Sequence, residues 1–158
     1  MKEIQLTQGK VTLVDDEKYE YLNQWKWCAL KRKKIYYAVR HTSRKNGKSK
    51  VLAMHRVIIN AKQNELTDHI DGDGLNNVIK NLRIATQSQN QMNRGRQINN
   101  TSGYMGVVWR KDKKKWYSKI ILNKKQIYGG CYLSPIEAAK SYDSLARQYH
   151  RDFAKTNF

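Results

Sequence analysis

The surplus of positive charge constrains this chain more than any other feature. Thirty-one Lys and Arg face 13 Asp and Glu, leaving a net charge of +18 on 158 residues. A fold of that charge repels itself, so the sequence predicts a polyanionic partner that offsets the repulsion. A generally basic solvated surface, as in ribosomal or histone-like proteins, is the alternative reading of charge alone. The excess is not confined to a tail. Up to residue 100 there are 19 basic and 9 acidic residues, and beyond it 12 and 4. Both halves are therefore expected to touch the polyanion. Ten Tyr and four Trp argue for packed cores and against a disordered basic tail. The length suits one ordinary domain or two small ones.

Other partners fit less well. Apolar runs such as Val57-Ile58-Ile59 and Ile120-Ile121-Leu122 fall far short of the roughly 20 residues of a spanning helix, so no membrane partner is expected. No apolar core follows Met1-Lys2-Glu3, so no secretory signal is expected either. Cys28 and Cys131 are too few for a disulfide scaffold or a Cys-based zinc site, and read as reduced thiols of a cytoplasmic protein.

The pattern divides the chain into an N-terminal β-rich extension (1–50), a segment carrying chemistry (51–94), an Asn-, Gly- and Ser-rich linker (95–102) and a C-terminal domain (103–158). In the extension, a strand is predicted at 10–14. Asp15 or Asp16 then caps a short helix reaching Trp25. Strands follow at 27–30 and 35–40, with Lys31-Arg32-Lys33-Lys34 at the hairpin tip. A polar turn at 43–49 leads into 51–54. No motif in the extension assigns it chemistry.

The informative stretch is Asp68-His69-Ile70-Asp71-Gly72-Asp73-Gly74, followed by Asn76-Asn77, Asn81-Leu82-Arg83 and Ser88-Gln89-Asn90. The Asp-Gly-Asp-Gly run predicts a tight turn, and Thr86 with Gln89 forms a capping-box pair for a helix. The result is strand, long loop, strand, helix. Asp68, Asp71 and Asp73 also alternate like a calcium loop. Position twelve is nevertheless Leu82 counted from Asp71 and Ile79 counted from Asp68, where a bidentate Glu is needed.

With Asn81 twelve residues after His69 and Asn90 nine further on, residues 54–93 resemble the HNH endonucleases, in particular the phage and intron-encoded branch with an H-N-N motif. The phrases His55-Arg56, His69-Ile70-Asp71-Gly72 and Asn81-Leu82-Arg83 look like that branch. The resemblance implies a ββα-metal finger in a bacterial or phage-infected cell. It gives His69 the role of general base, for which a neutral imidazole is suited near pH 7. It makes Asn81 the residue that holds the loop. Asp68 and Asn90 would hold one divalent metal ion, Mg²⁺ or Mn²⁺, for which carboxylate and amide oxygens are suitable hard ligands. Arg56 and Arg83 are candidates either for clamping phosphate or for structural surface roles, and His55 is a candidate for a buried structural position.

Residues 103–158 predict three strands, at 107–110, 116–122 and 126–132, with polar turns at 112–114 and 123–125. Ser134, Pro135 and Glu137 start a helix whose stripe is Ala138, Ala139, Tyr142, Leu145, Ala146 and Tyr149. This segment resembles the apetala/ethylene-response-factor DNA-binding domain, which lays a three-stranded sheet in the major groove. Arg110 is the motif arginine retained, and Trp116, Lys119 and Tyr128 are expected beside it. Met105, Val108 and Ile121 stand where that family places other contacting arginines, so its recognition sequence does not carry over.

The expected fold is α+β: a ββα-metal finger with an N-terminal β-rich extension, plus a three-stranded antiparallel sheet packed on one helix. The expected function is metal-dependent hydrolysis of double-stranded DNA. The alternatives are a DNA-binding regulator with an inactive finger and, behind it, a basic RNA-binding protein. The oligomeric state is open, with a monomer favoured.

Overall fold

Alternation of buried and exposed residues builds the first hairpin. In β1 (Lys2–Gln5) Ile4 turns inward, and in the antiparallel β2 (Val11–Val14) Thr12 and Val14 do. The computed structural model describes residues 1–43, 49–96, 99–123 and 125–158. These form two compact units, Met1–Thr86 and Gln87–Phe158. The expected turn at 43–49, the Ile98 region of the linker and Lys124 of the 123–125 turn lie wholly or partly outside the described residues.

In the first unit, α1 (Asp16–Asn23) follows β2. It ends before Trp25, and Asp15 occupies the N-cap position without capping the helix through its side chain. That carboxylate instead accepts the Ile79 N–H at 2.7 Å. β3 (Cys28–Arg32) and β4 (Ile35–His41) form the expected hairpin, and β5 (Val51–Ala53) pairs with the far edge of β4. The basic run is split: Lys31 and Arg32 stay in the ladder, and the turn falls on Lys33, with φ +56°, and Lys34. Met54, fully buried, begins α2 (Met54–Ile58), one residue earlier than a strand through 54 allows. β6 (Leu66–His69) then pairs with β7 (Leu82–Ala85) in an antiparallel two-stranded sheet.

One core runs through this unit. Ile4, Val14, Leu22, Trp27, Ala38, Met54, Ile58 and Leu82 pack together, drawing on β1, β2, α1, β4, α2 and β7. The extension is thus not separate from the segment that follows it. Burial of each large side chain contributes about 1.5–3 kcal/mol.

In the second unit, α3 (Gln87–Met92) is followed by an antiparallel sheet of β8 (Val107–Arg110), β9 (Lys115–Leu122) and β10 (Lys125–Tyr132), with β9 in the middle. The helix α4 (Pro135–His150) packs on that sheet. Ser134 accepts the Ile136 N–H at 3.2 Å, and Pro135 occupies the first turn where its missing N–H costs nothing. Ala138, Ala139, Tyr142 and Ala146 are buried as expected, but Tyr149 is exposed and the buried face ends on His150. Asp143 is also buried. Its carboxylate accepts the backbone N–H groups of Asn157 (2.8 Å) and Phe158 (2.9 Å), tying down the C-terminal segment.

Candidate active site

The loop between β6 and β7 is built from its own polar side chains. Asn81 holds both ends: its Oδ1 accepts the Asp71 N–H at 3.0 Å, and its Nδ2 donates to Asp71 Oδ1 at 2.9 Å and to the Asn76 carbonyl at 2.8 Å. Asp71 Oδ1 also accepts the Asp73 N–H, and Asp73 Oδ1 accepts the Leu75 N–H. These carboxylates are engaged in shaping the turn. Burial opposes ionisation of Asp71, but hydrogen bonds from Asp73, Asn81 and Asn76 outweigh it and hold its carboxyl below the usual range. Gly72 takes φ +83°, which favours glycine. At Gly74 a Cβ would lie 2.4 Å from the Tyr36 carbonyl oxygen and 2.7 Å from the Tyr37 ring. The loop therefore touches β4 where only glycine fits.

Asp68 and His69 are each 6% exposed, and their side chains leave opposite faces of β6. Asp68 meets its cross-strand partner Arg83: Asp68 Oδ2 accepts from Arg83 Nε at 2.9 Å and Nη2 at 2.7 Å. His69 faces a ring cluster, its centroid 4.9 Å from His55 and 6.0 Å from Tyr37. Its Nε2 is 3.3 Å from Asn77 Oδ1. Burial lowers the His69 pKa, against the Asn77 hydrogen bond and the nearby Asp71, Asp68 and Asp73 charges, which raise it. The ring is therefore neutral at pH 7, the state a proton acceptor needs. His55 is pushed to about 3, first by burial and then by the His69 and Arg56 charges. Its Nδ1 is buried with no hydrogen-bond partner among the described residues.

The structure brings Asp68, His69, Asn81 and Arg83 together on one strand pair and its loop. Asn90 stands half-buried on α3, in the second unit. Arg56 is held internally, donating from Nη1 to the Glu65 carbonyl and from Nη2 to the Lys62 carbonyl, each at 2.6 Å. Both arginines considered as phosphate clamps thus have protein partners. Sequence reasoning missed Thr12, Tyr37 and Asn77. Asn77 lies within the motif stretch, but Thr12 and Tyr37 carry no local signal because strand pairing at a distance in sequence delivers them.

In the second unit, Arg110, Lys119 and Tyr128 lie on the sheet face away from α4. Arg110 is paired with Asp112, Nη2 to Oδ2 at 2.9 Å. Trp116 is a correction. It packs with Val107, Ala138 and Ala139 on the helix side, because residues 116, 118 and 120 share one face and 117, 119 and 121 the other. Tyr117 takes the outer position, with the Arg110 guanidinium 5.4 Å from its ring centroid.

The buried His69 imidazole thus stands on a strand whose return loop is pinned by Asn81. Residues 53–92, which span these strands, match the model of the HNH endonuclease family. The chain is also similar to Protein 3.8 of Escherichia phage T7, 39% identical over 59 residues, covering 37% of this chain and 49% of the relative. It thus spans about half the length of that curated relative. Among the described residues, no group of three or more His, Cys, Asp or Glu is gathered as a metal site. No helix among them is long and apolar enough to cross a membrane.

Proposed function

We propose that this chain is a metal-dependent DNA endonuclease in which His69 is the general base. The observation that carries the reading is His69 itself, buried inside the segment that matches the HNH family, where burial lowers its pKa. His69 takes a proton from water, the water oxygen bonds to phosphorus, and the P–O3′ bond breaks with its electron pair leaving on oxygen. The HNH resemblance implies one divalent ion, Mg²⁺ or Mn²⁺, and the Asp68 carboxylate is the kind of hard oxygen donor that suits it. Such an ion would supply charge stabilisation for the leaving oxygen. The +18 net charge supports double-stranded DNA as the partner. The second unit's sheet, which resembles the apetala/ethylene-response-factor reader, is proposed to contact that DNA through Arg110, Lys119 and Tyr128. Such an activity belongs in the cytoplasm of a bacterial or phage-infected cell.

A plasmid-nicking assay with Mg²⁺ or Mn²⁺, repeated with EDTA, tests the proposal. Cleavage is expected only without chelator, and full activity after exhaustive chelation would overturn the metal role. One observation favours a second reading, a DNA-binding regulator with an inactive finger. Arg83 already neutralises Asp68 at 2.7 Å, which weakens that carboxylate as a cation ligand. Tight DNA binding with no nicking in any divalent metal would select it.

A further inference from the structure

Resting on the reading of His69 as base, we propose that Thr12 and Asn77 are positioning residues that lock His69 as the Nε2–H tautomer, leaving the proton-accepting lone pair on Nδ1. The Leu75 carbonyl sets the order of donors, because it can only accept. The Thr12 hydroxyl, 2.6 Å away, therefore donates to it. That uses the hydroxyl's one proton. Asn77, 2.7 Å from Thr12 Oγ1, must then donate to that oxygen, which places Nδ2 on that side. The Gly74 carbonyl, 3.5 Å from the same Nδ2, is a second acceptor that disfavours the flipped amide. Asn77 Oδ1 is thereby turned toward His69 Nε2 at 3.3 Å, and an amide oxygen can only accept. The nitrogen facing it carries the proton.

Thr12 and Asn77 are both 0% exposed, so water does not compete for these bonds. The backbone fixes their approach. Leu13 donates its N–H to the Leu75 carbonyl at 3.0 Å, and its own carbonyl accepts the Asn77 N–H at 2.9 Å. Strand β2 is thereby laid along residues 75–77. The N-terminal hairpin thus acts on the chemistry, since it orders the donors and acceptors that select one form of a ring far away in sequence.

The test is ¹⁵N NMR of the full chain labelled at histidine, at pH 8, with the His69 signals assigned by their loss in His69→Gln. The wild type is expected to show His69 protonated at Nε2 and unprotonated at Nδ1. Thr12→Val and Asn77→Leu are expected to mix or reverse that pattern, with DNA nicking slowed roughly 10- to 100-fold in Asn77→Leu. Asn77→Asp retains an acceptor toward Nε2 and is expected to keep the tautomer and recover part of the rate. An Nδ1–H tautomer in the wild type overturns the inference without need of any variant. So does an unchanged tautomer in a folded Asn77→Leu. The expected tautomer in a wild type that does not nick DNA would uphold the hydrogen-bond order and overturn the nuclease reading instead.

Discussion

For single residues, burial decides protonation. His69→Ala is expected to lower single-turnover cleavage by about 10² to 10⁴. DNA affinity, set mainly by phosphate contacts, should stay within experimental error. A mutant cutting at the wild-type rate would show that another group is the base. His55 gives a stability signature. Its pKa is about 3 in the folded chain, first because burial disfavours the charged ring, against 6.5 for an exposed ring. Between those values the unfolded chain binds more protons. The stability is complete above pH 6.5 and falls as the pH drops toward 3, with a slope of at most about 1.4 kcal/mol per pH unit from this group. Urea unfolding across that range, compared with His55→Leu, should show a shallower acid limb in the variant. Parallel acid limbs would mean that the His55 ring is already protonated in the folded chain.

Among the elements, the two-residue period of β9 assigns roles to neighbours. Trp116 packs with Val107 and two helix alanines, whereas Tyr117 lies on the outer face under Arg110. Trp116→Ala is expected to cost about 3 kcal/mol of stability, measured by denaturant unfolding. Tyr117→Ala should leave stability nearly unchanged and weaken DNA binding. The reverse outcome would place the DNA on the other face. In the first unit, Gly74→Ala should destabilise by about 1–3 kcal/mol, because the added methyl overlaps the Tyr36 carbonyl and the Tyr37 ring. An unaltered unfolding midpoint would mean that the loop retreats from β4 at no cost.

Across the whole molecule, the net charge of +18 bears on the proposed DNA partner. Affinity for any DNA should fall steeply with salt, as neutralised phosphates release counterions. Arg110→Ala and Lys114→Ala then separate two kinds of contact. Arg110, on the outer sheet face, should relax preference at one base position at a cost of about 1–3 kcal/mol. Lys114, in the β8–β9 turn with φ +47°, should weaken all sequences alike and reduce the salt slope by about 1. Titration of a selected site and of scrambled DNA across a salt series measures both. Equal losses on both DNAs for Arg110→Ala would make the sheet a phosphate clamp.

What is local in this protein was legible in its residues alone. Alternation and turn chemistry set the hairpin β3–β4, the strand–loop–strand around Asp68 and Asn81, and the three strands with a capped helix at the C-terminus. Motif spacing singled out Asp68, His69, Asn81 and Asn90. Contacts between segments far apart in the chain set the rest. They merged the N-terminal extension and the strand pair around one core, in which Ile4, Trp27 and Ala38 pack in the same cluster as Leu82. They paired Arg83 with the buried Asp68 across the strands, whereas Arg56 finds the Lys62 and Glu65 carbonyls only six and nine residues away. They turned Trp116 inward, since its large apolar surface gains most against the helix. They also brought Thr12 to Asn77, the neighbour of His69, an ordering of hydrogen-bond donors that exists only once β2 lies against the loop and water is excluded from both.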